Sequence, residues 1–332
     1  EIFTRLMGRP GIPASPILVQ HMTLWIGFIG AVLATRQNKL LSLTRDPLFS
    51  PDSVFSNGRW IAKNISFVII GALFWGSMNL VMIEYNYHFN IAPKIPRWSA
   101  MIIMPSGFLI MAIHMFANSH KNYFHSFLFV IFGIAIYAIS ISFVLQENIY
   151  ILPLGLSVLF ISLIYGAPIF VGLGGTAIIL FWSDYTSLSA IPAEAYRIVV
   201  NPSLPVIPLF TLAGYLLAES GTSTRLVNVF RSLFGWIPGG TPVVVVILCG
   251  FFTALTGGSG VTILALGGLL LPLLIKEGYS RKFSLGLITV SGSIGLLFPP
   301  SLPAIIYGVT AGISVKNVFV AGLMPGMLLV LL

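Results

Sequence analysis

Apolar runs of near-membrane length, separated by short polar stretches, set the rhythm of this chain. Pro16–Thr35, Ile65–Ile83 and Ser99–Ala117 each approach the roughly 20 apolar residues that carry a helix across a bilayer. Phe124–Leu145 is a fourth such run. Ile151–Trp182 is longer, with Pro153 and Pro168 placed to bend or divide it on its way back to the cytoplasmic side near Asp184. Val206–Ala218 is compact, begun after Pro205 and closed by Glu219-Ser220-Gly221. Ser189–Val200, carrying Glu194 and Arg197, and Thr222–Phe234, carrying Arg225 and Arg231, each have a polar side. Both predict amphipathic helices at the membrane surface.

Two interruptions stand apart. Thr256-Gly257-Gly258-Ser259-Gly260 divides Pro242–Leu255 from Val261–Ile275, and Phe298-Pro299-Pro300-Ser301 divides Phe283–Leu297 from Leu302–Val309. Neither carries a charge. Clustered glycines and paired prolines are poor helix interior. Backbone that is not helical survives at membrane depth only where protein buries it or where it lines a polar cavity. A pair of such breaks marks an ion or substrate site. The competing reading is two ordinary loops outside the bilayer.

Composition agrees with a membrane chain. Of 332 residues, 57% are hydrophobic and 8% charged, against about 25% charged in soluble domains. The chain is therefore an all-α polytopic membrane protein with the lipid bilayer as its surroundings. Its net charge of +8 is spread over loops, with five basic residues in Arg36–Lys63, which places that segment in the cytoplasm. No long basic tract points to nucleic acid. The single cysteine, Cys249, lies inside an apolar run and reads as packing. Both ends are read as cut, because the chain starts at Glu1 and stops in the apolar run Leu328–Leu332. Near residue 148 the character changes. Phe, Tyr, Trp, His and Met dominate before it; Gly and Pro punctuate nearly every apolar run after it. That change separates a scaffold-like part from a binding or moving part.

The chemistry available at the breaks is oxygen alone. No carboxylate or histidine falls inside an apolar run after residue 240, so a buried proton relay is not expected there. The polar atoms are the hydroxyls of Thr256, Ser259, Thr262, Ser291, Ser293 and Ser301, with backbone carbonyls released from helical pairing. Such a set suits a hard monovalent cation. Unwound carbonyls hold sodium in broken-helix carriers, and half-helix N-termini face anionic groups. Ser259 and Ser301 are the candidate hydroxyl ligands for sodium, with the carbonyls of Thr256, Gly258, Gly295 and Phe298. Gly260, Thr262, Ser291 and Pro299 are the candidate substrate contacts. Val261 and Leu302 begin the half-helices. Gly267-Gly268, Gly286 and Gly292 are read as small residues that permit close helix packing. No cofactor beyond the coupling ion is expected. Among the histidines, His114 is read as the one well inside a span, in a packing role.

Gly257-Gly258-Ser259-Gly260 also looks like the nucleophile motif of rhomboid intramembrane proteases. That chemistry needs a histidine base beside the serine, and all five histidines precede Ser259. The chain is therefore not read as an enzyme, and the protease stays a remote alternative.

The region Pro205–Gly326 resembles the large membrane subunit of tripartite ATP-independent periplasmic (TRAP) transporters. The matching pieces are Ile207-Pro208-Leu209-Phe210-Thr211-Leu212-Ala213-Gly214, Lys276-Glu277-Gly278-Tyr279, Pro299-Pro300-Ser301-Leu302-Pro303 and Ile306-Tyr307-Gly308. Ala321-Gly322 and Pro325-Gly326 continue the match. Residues 1–120 resemble the small membrane subunit without its first helix. The resemblance implies a linking helix over 121–148 and the first half of a large-subunit transport domain over 149–332. That half would carry a re-entrant hairpin and a broken helix, as one of two inverted repeats, with the remainder of the large subunit as a missing partner. It further implies an inner-membrane sodium symporter of an organic acid anion, working as an elevator and served by a periplasmic substrate-binding protein. The hairpin tip departs from the family, which commonly has a Ser-Gly-Ser tip followed by an aspartate. Two other classes stay open: a broken-helix ion or anion carrier without a binding protein, and a scaffold that transports nothing.

Overall fold

The computed structural model describes residues 14–43, 55–92, 95–119, 150–234, 236 and 239–331. Phe124–Leu145, expected to link the two parts, lies outside the described residues. Helices account for nearly all the regular structure, and the chain forms two compact units that divide between Val200 and Asn201.

The first unit begins with α1 (Ser15–Arg36), α2 (Phe55–Tyr87), a two-stranded ribbon of β1 (Asn90–Ala92) and β2 (Ile95–Pro96), α3 (Arg97–Met101) and α4 (Ile103–Ser119). Among the described residues, Ser15–Arg36, Ile61–Tyr87 and Arg97–Ala117 are long and apolar enough to cross a membrane. The 33 residues of α2 reach about 50 Å at 1.5 Å per residue. That exceeds a hydrocarbon core of about 30 Å, so α2 extends well past the Ile65–Ile83 run. The interruption between α3 and α4 follows from Pro105. It has no N–H to give the carbonyl of Met101, the last residue of α3, four positions earlier. At the turn after α2 Arg97 grips Glu84 with two hydrogen bonds of 2.7 Å and lies over the Phe89 ring.

Among the described residues three more helices belong to this unit: α5 (Ile151–Ile164), α6 (Ile169–Ser183) and α7 (Ala190–Val199). Ile151–Trp182, expected to run back to the cytoplasmic side with Pro153 and Pro168 bending or dividing it, is divided into a reversing pair of helices. The chain reverses at Gly166, where φ is 93°, and Pro168 opens α6. The antiparallel pairing is read from glycines. A methyl on Gly155 would meet Ile179 at 3.0 Å, one on Gly175 would meet Leu159 at 2.8 Å, and one on Gly172 would meet Leu163 at 2.7 Å. Asp184 thus returns to the end at which Tyr150 entered. Pro153 sits in the first turn of α5, where an N–H has no helical partner to lose.

The histidine that matters in this unit is His21 rather than His114. His21 is buried in α1, whereas His114 on α4 is only half-buried. His21 Nδ1 lies 2.7 Å from the Ile17 carbonyl, which can only accept, so Nδ1 carries the hydrogen. Nε2 is then the acceptor for the Tyr196 hydroxyl at 2.7 Å. Burial pushes the Tyr196 hydroxyl up to about 12, and it stays protonated.

The second unit holds α8 (Val206–Glu219), α9 (Thr222–Phe234), α10 (Gly240–Thr256), α11 (Ser259–Lys276), α12 (Arg281–Ile294), α13 (Leu302–Ala311) and α14 (Val315–Leu331). Its centre is Val244, Val245, Leu248, Cys249 and Phe252 of α10 against Leu266, Leu270 and Leu274 of α11 and Ile288 of α12. Val227 closes one side. Cys249 is wholly buried, in the packing role expected of it. Lipid tails are as apolar as leucine, so it is tight packing more than escape from water that favours this contact.

Candidate functional site

The first interruption is narrower than the sequence predicts. Thr256 is the last residue of α10, and Ser259 already begins α11, two residues before the expected start at Val261. Only Gly257 and Gly258 leave the helix. Gly257 takes φ 72°, a conformation that favours glycine, and donates its N–H to the Thr253 carbonyl at 2.8 Å. The second interruption is wider. Helix α12 ends at Ile294, and Gly295–Pro300 is irregular before Ser301 caps α13 at the expected Leu302. Ser301 Oγ accepts the Ala304 N–H at 3.4 Å and donates to the Leu296 carbonyl.

Glycines bring the two interruptions together. A methyl on Gly257 would collide with the Leu302 side chain, the first residue of α13. One on Gly295 would run into the Gly250 carbonyl and lie 2.7 Å from Thr253 Cβ. One on Gly292 would touch the Ser259 carbonyl at 3.5 Å. Helix α8 joins at Gly214, where a methyl would lie 2.7 Å from Thr256 Cγ2, and α14 at Gly322, where one would lie 2.8 Å from the Leu297 carbonyl oxygen. Of the glycines expected to serve packing, Gly292 does so. Gly268 and Gly286 have open space beside them, and Gly267 meets only Ile263 of its own helix at 3.8 Å. In this unit Gly257 and Gly295 make the close approaches at the breaks, and Gly214, Gly292 and Gly322 make them from the helices alongside.

The hydroxyls fall into two groups. Most helical Ser and Thr side chains bond back to their own helix, as Thr35 does to Ala31, Ser66 to Ala62, Thr176 to Gly172 and Thr289 to Leu285. That is the ordinary way to hide a hydroxyl in lipid. Around the hairpin tip they turn to one another. Thr253 Oγ1 donates to Thr262 Oγ1 at 2.8 Å, and Thr256 Oγ1 stands 3.1 Å from the same atom. All three are buried. Thr253 was not among the residues singled out from sequence, since a threonine inside an apolar run is ordinarily self-satisfied. Ser291 Oγ, on the helix packed against both hairpin arms, is buried without a hydrogen-bond partner among the described residues. Ser293 instead sits on the exposed side of α12.

The carbonyls expected to be released are mostly in use once. Gly258 accepts from Thr262 N at 3.2 Å, Gly295 from Phe298 N at 3.3 Å, and Phe298 from Ser301 N at 2.9 Å. Each carbonyl oxygen has a second lone pair for a cation. Gly260 and Pro299 are exposed. No group of three or more His, Cys, Asp or Glu stands together among the described residues. The chemistry on offer is therefore an uncharged oxygen set at the junction of two broken helices, on residues that are buried at Thr256, Gly295 and Ser301 and half-buried at Gly258, Ser259 and Phe298.

The hydroxyl triangle makes its own prediction. Thr262→Val keeps the shape but strips the shared oxygen from Thr253 and Thr256. Two buried hydroxyls then lose a partner, at about 1–3 kcal/mol. Thermal unfolding of the purified chain in detergent should shift down; an unchanged midpoint would show the triangle to be idle.

Comparison with known proteins places this geometry. The family of tripartite ATP-independent periplasmic transporters, DctM component, matches residues 156–332, and the DctQ component matches residues 1–125. The chain is 26% identical over 321 residues to the isethionate TRAP transporter permease protein DctMQ of Oleidesulfovibrio alaskensis, covering 94% of this chain and 50% of that one. It is 32% identical over 168 residues to the C4-dicarboxylate TRAP transporter large permease protein DctM of Vibrio cholerae, covering 50% and 37%. Identity is 34% over 173 residues with the ectoine TRAP transporter large permease protein TeaC of Halomonas elongata, covering 51% and 40%. The chain thus spans about half, or less, of the length of these relatives. Broken helices, apolar spans and these two matches make it a member of the TRAP transporter family, a multi-pass inner-membrane component in which a DctQ-like stretch is fused ahead of a DctM-like one.

Proposed function

We propose that the chain forms part of a sodium-driven importer of an organic acid anion that receives its substrate from a periplasmic binding protein. The observation that carries this reading is the meeting of the two interruptions, Gly257 against Leu302 and Gly295 against Gly250 and Thr253. In support, the oxygens there are uncharged and lie on buried or half-buried residues, which suits a monovalent cation rather than a proton relay. Ser259, Ser301 and the carbonyls of Thr256, Gly258, Gly295 and Phe298 are the proposed sodium ligands. The N-terminal end of α13 offers positive potential to an anionic group. Thr262, Ser291, Gly260 and Pro299 are the proposed substrate contacts, and the unpartnered Ser291 hydroxyl is the best placed of them to gain from a ligand. The unit beyond Asn201 is the proposed moving part of an elevator, with the remainder of a large subunit completing the site.

The test is uptake into proteoliposomes by a full-length chain with its binding protein. An inward sodium gradient should drive accumulation of the acid, and omission of the binding protein should abolish it. Uptake driven equally well by a proton gradient alone would overturn the sodium assignment. Uptake undiminished without a binding protein would instead favour a stand-alone carrier.

A further inference from the structure

Helix α14 supplies none of the proposed ligand oxygens, yet it stands against backbone that does. Gly322-Leu323-Met324-Pro325-Gly326 puts two glycines four residues apart, one above the other on a single helix face. In lipid such a pair lets another backbone come close. Here the face is turned on irregular chain rather than on a second helix. A methyl on Gly322 would lie 2.8 Å from the Leu297 carbonyl oxygen, and one on Gly326 would lie 3.1–3.4 Å from three atoms of the Phe298 ring. Gly326 is buried, whereas Leu323, Met324 and Met327 beside it are exposed.

Helix lengths bring this face to the second break. From Leu302 to Gly308, α13 climbs about 9 Å at 1.5 Å per residue. Helix α14 starts at that level, since a methyl on Gly308 would meet Val315 Cγ2 at 3.2 Å. An equal climb back from Val315 ends at Ala321, next to Gly322. The irregular stretch is thus gripped by two helices, Gly295 against α10 and Leu297 with Phe298 against α14. The Phe298 carbonyl accepts the Ser301 N–H at 2.9 Å, and where the Leu297–Phe298 step sits decides where its other lone pair is aimed.

We propose that Gly322 and Gly326 are positioning residues for the cation site. They seat the Leu297–Phe298 step by contact, and so hold the Phe298 carbonyl in place. This role rests on the reading of that carbonyl as a sodium ligand. Binding oxygens work only when held to about 0.5 Å, so a larger residue at 326 that pushes the step aside is felt as lost affinity.

The experiment places Gly326→Ala in two backgrounds of the full-length chain, in proteoliposomes with its binding protein. With Phe298 present the methyl meets the ring, and half-saturating sodium should rise roughly fivefold. Phe298→Leu removes the ring atoms in contact and keeps the carbonyl. In that background Gly326→Ala should leave half-saturating sodium where Phe298→Leu alone puts it. Weakened folding by itself would move both backgrounds alike. Phe298→Tyr adds a hydroxyl at Cζ, the ring atom nearest Gly326, and should raise half-saturating sodium with α14 untouched; it decides the matter if Gly326→Ala does not fold. Thermal unfolding in sodium-free detergent repeats the comparison without the ion, and Gly326→Ala should cost stability only where Phe298 is present. Equal losses in both backgrounds would show that α14 does not seat on Phe298 and would overturn the proposal. So would a sodium titration that neither Gly326→Ala nor Phe298→Tyr shifts. Uptake that ignores sodium in the unsubstituted chain is a separate result, which removes the cation reading and the positioning role with it.

Discussion

Gly295→Ala should lower the unfolding temperature of this chain sharply, while Gly268→Ala in the same unit should not. The added methyl at 295 collides with the Gly250 carbonyl and lies 3.0 Å from the Ala254 nitrogen. Both are backbone atoms of α10 and cannot turn aside as a side chain can. Overpacking of this kind costs about 1–3 kcal/mol and sometimes more. At 268 nothing lies within 4 Å of the new methyl, and alanine is the better helix former by about 0.5–1 kcal/mol. Fluorescence-detected size exclusion after heating separates the two. Equal midpoints would mean that α12 does not seat on α10 as described. Because the same contact holds the second break against the hairpin, Gly295→Ala should also abolish uptake.

Ser259→Ala should lower apparent sodium affinity about tenfold or more, since a side-chain oxygen bonded to a charged partner is worth about 1.5–3 kcal/mol. Ser301→Ala tests a different thing. Its hydroxyl already caps α13, so the substitution should cost about 1 kcal/mol of stability whether or not sodium binds. Sodium titration of uptake beside thermal unfolding resolves the pair. Half-saturating sodium should also stay flat between about pH 6 and 8, because no proposed ligand titrates there. If Ser259→Ala leaves the titration curve where it was, the hydroxyl is not a ligand.

What could be read from the chain alone was local. Leu302 as a helix start follows from Ser301 before it and Pro303 after it, and Thr222–Phe234 is bounded as the structure bounds it. Uncharged breaks between apolar runs located the junction. The misses concern pairs of residues far apart in sequence. Gly268 and Gly295 are alike as letters, and only the neighbouring helix tells them apart. Thr253 looks like any threonine in an apolar run until Thr262 is brought beside it. His21 stands in a span as plain as the one around His114, and its role comes from Tyr196 on a helix 175 residues away. The seven-residue wait from Gly295 to Ser301 shows a similar limit, since prolines announce that a helix stops but not how early.

The reversal at Gly166 has a consequence for counting. A traverse inverts the side on which the chain continues; a pair that enters at Tyr150 and leaves at Asp184 on the same side does not. Parity is therefore preserved across Ile151–Ser183. Any tally of apolar runs that scores this stretch as one crossing assigns every later loop to the wrong compartment, the charged turn from Lys276 to Lys282 included. Reporter fusions on either side of the pair, after Tyr150 and after Asp184, should give the same sign.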